Sequence, residues 1–351
     1  MAMSFVPTLE VVTKSRIVAF ADRIAHGLDS GVVAIDRSRA TKLAENPDAL
    51  PEDVLLIVAR GPVGECLGYL GLMPGYFQIG AVKEKVAFTS TGFASPPVRG
   101  SGASALVMDE AERRYATVVA TGNSPSAVNF FRKRGYSERE SSEVLELDSE
   151  RSKSWLQSIG DTLHPHEVEL HEHHWRQLSA AQREEVLRVL SREEPSTVVR
   201  TPEAIAWMLN NPWFPPSPKQ NRFERAYRFG NSARAVDYRI WEVRAPQSME
   251  RAIAVVAFVH NATGLTLKVL DYGATHKQQE RELGATLLMY YARNRSKIRR
   301  YLYPARLGAF AANRCVSGAS ARRQLYFFRS SSENVARHLN ELQFSSTDGD
   351  T

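Results

Sequence analysis

The stretch that decides the fold is Ser95-Pro-Pro-Val-Arg-Gly-Ser-Gly-Ala-Ser-Ala-Leu-Val-Met108. Before it, Lys85–Ala94 has the branched and aromatic content of a β-strand; after the glycines, Ala103–Tyr115 has the composition of a helix. A strand that turns straight into a helix aims the helix's unpaired N–H groups, and the positive end of its dipole, back across the turn. Gly100 and Gly102 keep Cβ atoms out of that space, and Arg99 sets a full positive charge beside it. The product is a cradle for a phosphate-bearing group. It is not a Walker loop, since no Gly-Lys-Ser/Thr follows, and Ala105 stands where the dinucleotide fingerprint has its third glycine.

A second string, Val118-Val-Ala-Thr-Gly-Asn-Ser-Pro-Ser-Ala-Val-Asn-Phe-Phe-Arg-Lys-Arg-Gly-Tyr136, takes a short buried strand (Ala116–Thr121) into another helix (Ser124–Arg134). Gly135 stands where a left-handed cap is wanted. Together the two strings resemble the GNAT superfamily of N-acetyltransferases. There a Pro-x-x-Arg-Gly-x-Gly-x-Gly/Ala loop precedes an Asn-x-x-Ala-x-x-x-Tyr-x-x-x-Gly-Phe helix. Arg99, Gly100 and Gly102 take the loop positions, and Ala127, Phe131, Gly135 and Tyr136 keep the spacing of the second motif. Asn123 falls one residue early. The resemblance spans about residues 10–148, with its motifs in 91–136.

The resemblance implies acetyl-CoA, or another acyl-CoA, as co-substrate and no metal. It implies that Phe93, Ala94 and Ser95 offer backbone groups to the pantetheine amides. Arg99, Gly100, Ser101, Gly102, Ala103 and Ser104 would wrap the pyrophosphate, and Asn123 would lie near the pantetheine or the acyl end. The implied reaction is direct attack by a neutral amine in a ternary complex, which needs a stabilised oxyanion and a protonated leaving thiolate. The tyrosine that often supplies that proton is replaced by Phe131, which has none to donate. No carboxylate lies on Val86–Ala94, where a general base often sits. Tyr69, Tyr76, Glu65 and Glu84 are the nearest candidates for acid and base.

Outward from these motifs, 351 residues is the length of two domains, and 43% hydrophobic with 24% charged residues is ordinary for a globular chain. No apolar run approaches the ~20 residues of a membrane-spanning helix, and Met1–Val12 lacks the features of a secretory signal. The expected location is the cytoplasm. Cys66 and Cys315, far apart, make neither a disulfide framework nor a zinc knuckle, and Cys66 reads as a small core residue. A net charge of +6 suits an anionic ligand, but acids are too evenly interspersed for a general nucleic-acid binder. The densest basic run, Arg293, Arg295, Lys297, Arg299 and Arg300, reads as a solvated helix end, with tRNA contact as the sharper alternative.

The first half, 1–150, has helices at Ser15–Gly27 and Ser38–Glu45, the latter stopped by Asn46-Pro47. Strands follow at Val54–Arg60 and Cys66–Pro74 around Gly61-Pro62, and a last one at Val144–Leu147. Polar Ser149–Gly160 is the expected boundary. The second half, 161–351, repeats the order: helices at Ser179–Leu190 and Pro202–Asn210, then strands at Arg225–Phe229, Tyr238–Arg244, Ile253–His260 and Thr266–Tyr272. A long helix Lys277–Ser296, a strand Arg300–Tyr303 and a helix Ser332–Leu342 complete it. It lacks the Arg-Gly-x-Gly loop. The expectation is an α/β (α+β) protein of two tandem GNAT-like domains, each a mixed, mostly antiparallel sheet flanked by helices, the second degenerate.

Asp271, at a strand end, is a candidate to meet a substrate amine or act as base, with a cap or turn role as the plainer alternative. His164, His166, His171, His173 and His174 invite a metal, but His-Glu-His-His-Trp is not His-Glu-x-x-His, and a solvated strand with His171 and His173 on one face is the better reading. Trp207, Trp213, Phe214 and Trp241 read as core or inter-domain packing, with a sugar or acyl pocket as the alternative. The expected function is acyl-CoA-dependent N-acyltransfer to an amine of a small molecule or sugar, with a homodimer allowed. A non-catalytic CoA-binding or scaffold protein and an aminoacyl-tRNA-dependent transferase are the alternatives.

Overall fold

The computed structural model describes residues 7–25, 32–94, 102–121, 124–141, 144–153, 169–191, 197–211, 235–244, 251–261, 264–308, 319–322, 325–338 and 340–342. The first half runs β1 (Thr8–Thr13), α1 (Ile17–Ala25), α2 (Arg37–Ala44), β2 (Val54–Arg60), β3 (Cys66–Ile79) and β4 (Val82–Ala94). It continues with α3 (Ala103–Arg114), β5 (Thr117–Ala120), α4 (Pro125–Lys133), β6 (Ser137–Glu140) and β7 (Val144–Asp148). The second half runs β8 (Glu169–His173), α5 (Ala180–Leu190), β9 (Thr197–Val198), α6 (Pro202–Asn210), β10 (Ala235–Arg244), β11 (Arg251–Asn261) and β12 (Gly264–Ala274). Then come α7 (Lys277–Arg293), β13 (Ile298–Pro304), β14 (Ala319–Arg322), β15 (Leu325–Ser330) and α8 (Glu333–His338).

Local chemistry sets the helix starts. Asp36, Ser124 and Thr201 each accept the N–H of the residue three ahead, and Ser179 with Gln182 forms a reciprocal capping box. Pro125 and Pro202 occupy the first helical turn, where a missing N–H is harmless. Gly135 ends α4 with a φ of 73°, the left-handed cap that its position demanded. On α1, Ile17, Phe20, Ala21 and Ile24 recur at helical spacing and are all buried.

Two sheets result. One is ordered β1-β2-β3-β4-β5-β15-β6, with β9 added against the far end of β3; the other is ordered β14-β7-β13-β12-β11-β10-β8. Every pairing is antiparallel except β4–β5 and β12–β13. The first sheet packs α1 and α2 on one face and α3 and α4 on the other. The second packs α7 on one face and α5 with α6 on the other. Among the described residues no helix is long and apolar enough to cross a membrane.

The sheets cross the division of the chain at two strands. β15, close to the C-terminus, lies between β5 and β6 of the first sheet, while β7 lies between β13 and β14 of the second. Alternation drives both faces of β15 inward: Tyr326 and Phe328 join the α1/α2 side and Phe327 the α3/α4 side. Phe327 stacks on Phe131 of α4 at 5.5 Å between ring centroids. β7 returns the arrangement, with Leu147 fully buried against α7.

Several elements differ from the sequence reading. β1, β6, β14 and β15 lack a clear period of their own, and the strand after Gly61-Pro62 runs five residues further, to Ile79. The last helix is shorter than 332–342. The strand expected at Arg225–Phe229 lies outside the described residues. Because each sheet contains a strand of the other half, unfolding is expected to be one transition. Phe327→Ala should lower stability by about 3–5 kcal/mol. Urea titrations followed by circular dichroism and by tryptophan fluorescence, superimposed, check both statements.

Candidate functional site

The site follows from the ladder of β4. On one side β4 pairs with β3 along its length, Ile79↔Val82 through Gly68↔Ala94. The register slips at one point: Leu72 faces Thr89 and Gly71 faces Thr91, so Ser90 is an extra residue, a β-bulge. On the other side the parallel pairing with β5 covers only Ala87–Thr89 against Val118–Ala120. Beyond Thr89, β4 continues to Ala94 while β5 ends at Ala120, so this edge of β4 has no paired strand among the described residues. Along that edge every second residue of 90–94 turns its N–H and C=O into the opening. Gly92 is exposed there, and Phe93 and Ala94 are half-buried.

Gly102 begins α3 at a φ of 85°, a left-handed conformation that strains any residue with a side chain. An added Cβ would meet no described atom within 4 Å, so conformation rather than space requires this glycine. The first turn of α3 has neither a side-chain cap nor an acid, which leaves its N–H groups to an anion. Ala103 is buried and Ser104 half-buried at that end. Ser95, Arg99, Gly100, Ser101 and Asn123 lie outside the described residues. Ser124, the next residue, caps α4, with its Oγ 2.9 Å from that of Ser126.

The acid and base candidates are spread over both ends of the sheet. Tyr69 faces Phe93 across the ladder, rings 5.7 Å apart, beside the opening and buried on the α1/α2 side. Glu65 is at the same end, but its carboxylate accepts the N–H of Val63 and closes its own turn. Glu84 and Tyr76 are at the other end. Glu84, which accepts from Asn334, is about 17 Å along the strand from Thr89. Phe131 is a core residue, packed between Phe327 and Tyr136.

The sequence reading missed three features. Ser90 and Thr91 both turn toward Gly71, their hydroxyl oxygens 2.6 and 2.5 Å from where a Cβ on that glycine would sit. Arg39 of α2 donates to the carbonyl of Ser90 at 3.4 Å. Third, a cavity of about 50 Å3 lies between the halves, lined by Met73, Pro74 and Phe88 of the first sheet, Arg200, Trp207 and Met208 of the second half, and Asn46 and Asp48. Burial is the main force pushing Asp48 up, to about 6; Glu203 adds to it, and Lys83 and Lys85 oppose it. Only Asn46-Pro47 was visible locally, as a helix stop; the other walls of the cavity come from β3, β4 and α6.

The second half repeats the bulge and the early end of the parallel pairing. β12 bulges at Leu270, and its parallel pairing with β13 stops at Lys268↔Leu302. Asp271 lies inside β12, not at its end; its carboxylate takes Arg200 Nη1 at 2.7 Å and the N–H of Tyr272 at 2.9 Å. It is therefore neither a cap nor a turn residue. Arg200 and Asp271 are 5% and 6% exposed. A Cβ on Gly284 of α7 would overlap the carbonyl of Leu307, so the chain after β13 is pressed onto the helix.

Other candidates sit as follows. Cys66 is buried. His171 and His173 stack on one face of β8, 6.3 Å apart. Among the described residues no group of three or more His, Cys, Asp or Glu side chains could hold a metal. In the basic run, Arg295 donates to the carbonyl of Ala292 and Arg300 lies 3.6 Å from Glu146. Trp241 is fully buried in the second core, and Trp207 donates to the carbonyl of Lys42 across the halves.

Solved structures share this two-sheet arrangement. A probable N-acyltransferase from Enterococcus faecalis V583 superposes with a TM-score of 0.55 at 10% identity, over 93% of this chain and 72% of that one. A GCN5-related N-acetyltransferase from Anabaena variabilis gives 0.50 at 12% identity, over 93% and 73%. The fold is GNAT-like. No family model and no curated protein matches the sequence.

Two stability measurements test these assignments. A carboxyl whose folded pKa is raised disfavours folding once both states ionise. Stability contributed by Asp48 is therefore fully present below about pH 4 and falls as pH rises toward 6. The whole shift would correspond to about 3 kcal/mol. Screening at a half-buried group reduces this, so Asp48→Asn should gain about 1–2 kcal/mol at pH 7 and nothing at pH 3.5 by urea titration. Asp271→Asn should instead lose about 3–5 kcal/mol by stranding Arg200, with most of it regained in Arg200→Met/Asp271→Leu.

Proposed function

We propose that the first half binds acetyl-CoA, or a longer acyl-CoA, along the unpaired edge of β4 beyond β5 and transfers the acyl group to an amine of a small molecule. The observation that carries this reading is the ladder that stops at Thr89↔Ala120 while β4 runs on beside an uncapped helix start. The exposed edge of Ser90–Ala94 supplies N–H and C=O groups to an extended amide-bearing arm, as a third strand would. The start of α3 offers N–H groups to a diphosphate, with Arg99 and Gly100 in the loop before it. A preorganised N–H near the bulge would stabilise the oxyanion as the amine attacks. Phe131 has no proton for the leaving thiolate, so solvent, or Tyr69 beside the opening, fills that role. The second half is read as non-catalytic, because the residues at its bulge, Leu270 and Asp271, are taken up by the core and by the ion pair with Arg200.

A second reading, a CoA-binding protein without transferase chemistry, is favoured by Phe131 lying in the core. Two assays separate the readings. Calorimetry with acetyl-CoA should show one site per chain, and Gly102→Val should weaken it at least tenfold with an unchanged circular dichroism spectrum. Equal affinity in the variant would refute the site. CoA release over a panel of amines then decides between enzyme and binder.

A further inference from the structure

We infer that the cavity between the two halves receives the primary ammonium end of the acceptor, with Asp48 as its counter-ion and proton acceptor. This rests on the transferase reading above and assigns the acceptor side of it.

The cavity opens on the same face of the first sheet as the bulge hydroxyls. Gly71 and Met73 are two apart on β3 and share a face, and Met73 faces Phe88, two residues before Ser90 on β4. Along β4 that is about 7 Å from the bulge. A nitrogen that enters beside Phe88 must therefore move about two strand residues to reach the bulge, just past the end of the β4–β5 pairing.

Its walls select the group. Met73, Pro74, Phe88, Trp207 and Met208 are apolar, and the two aromatic rings suit a cation. Two charged residues line it. Arg200 is held by Asp271 at 2.7 Å. Asp48 forms no ion pair within 4 Å among the described residues; Lys83 and Lys85 on β4 and Glu203 on α6 act on it from farther away. Lys85 is itself held by Asp53. The turn carrying Asp48 is fixed: its N–H donates to Asn46 Oδ1 at 3.0 Å, and Asn46, buried, donates to the carbonyl of Pro74 at 3.1 Å.

Roughly 10–15 Å3 of such space holds one water, so about 50 Å3 takes a small ammonium-bearing end, with the rest of the acceptor in the pocket's open mouth.

The step balances simply. The ammonium gives one proton to the Asp48 carboxylate; the neutral nitrogen, no longer held as an ion pair, moves to the bulge and bonds to the thioester carbonyl carbon as the C–S bond breaks. The nitrogen's second proton reaches the thiolate through solvent, and Asp48 returns its own to solvent. Burial holds Asp48 near 6, so at neutral pH it is ionised yet basic enough to take a proton.

The test uses the full-length protein with n-propylamine as probe and 1-propanol as its uncharged counterpart, at pH 7.5. Carbon-13 methyl spectra of methionine read Met73 and Met208, assigned with Met73→Leu and Met208→Leu. Propylamine should shift both methyls saturably and propanol neither. Asp48→Asn should weaken the propylamine response tenfold or more while acetyl-CoA affinity stays unchanged. An equal response in Asp48→Asn, an equal response to propanol, or no response at either methyl overturns the site. With acetyl-CoA saturating, kcat/KM for propylamine should rise with pH through about 6 in the parent. In Asp48→Asn it should drop at least tenfold and lose that rise, with partial recovery in Asp48→Glu. If the methyls respond but no amine releases CoA, the transferase reading fails and the proton-acceptor role with it, while the ammonium site stands.

Discussion

Strand β5 must be paired on both edges, and that requirement ties the molecule together. All four of its residues are buried, so any N–H or C=O without a partner there would be stranded away from water. β4 covers three of them on one edge. The other edge is covered by β15, which arrives from the far end of the chain and pairs with all four. β7 answers the same need beside β13. Neither sheet can be completed by its own half. The relative placement of the halves is thus set by backbone hydrogen bonds and the Phe327–Phe131 stack, not by a surface contact alone. That fixity matters for the cavity. A void of this size keeps its shape only if the walls from α6 and from the first sheet do not slide. β9 on β3, Trp207 on Lys42 and Asn211 on Glu45 fasten the α6 wall further.

The bulge is the second constraint, and it is present in both halves. An extra residue increases local twist and ends regular pairing, so the strand that follows swings away from its parallel neighbour. In the first half the side chains at the bulge are small and polar, Ser90 and Thr91 over Gly71. In the second they are Leu270, packed into the core beside α5, and Asp271, bound to Arg200. The same backbone event therefore yields an opening in one case and a filled joint in the other. Arg200 connects the two outcomes: it is a wall of the cavity and half of the ion pair that fills the second half's counterpart.

The legible parts of the sequence were those whose cause is local. Glycines that need a positive φ, at 102 and 135, and the caps of the helices stand in their own windows, and so the start of α3, the end of α4 and the other helices were legible. The resemblance in 91–136 likewise rests on residues close in sequence. What could not be read was partnership. Leu325–Ser330 is as apolar as many strands, but nothing in it names β5 and β6, almost two hundred residues earlier, as its neighbours. The register of β3 on β4 was hidden for the same reason, so Glu84 and Tyr76 stood as candidates beside Tyr69 although they belong to the other end of the ladder. Asp271 looked like a strand-end residue because its partner, Arg200, belongs to a separate segment seventy-one residues away.

Asp48 shows most clearly why such residues escape a sequence reading. Its type and its neighbours, Asn46 and Pro47, describe an ordinary exposed turn. Only the folded chain sets it in one cavity wall with Trp207 and Met208 and takes its carboxylate partly out of water. That burial works against the folded state at neutral pH, opposed by Lys83 and Lys85 but by no ion pair among the described residues, whereas the buried charges of Arg200 and Asp271 are paired. An asparagine would fill the same turn, keep the bond from the backbone N–H to Asn46, and avoid the penalty. A charge that opposes folding and is left facing a cavity is the pattern expected where a cationic ligand supplies the missing partner. That combination of burial and cavity lining is what sets Asp48 apart from the paired carboxylates of the protein and makes it the residue on which the ammonium assignment turns.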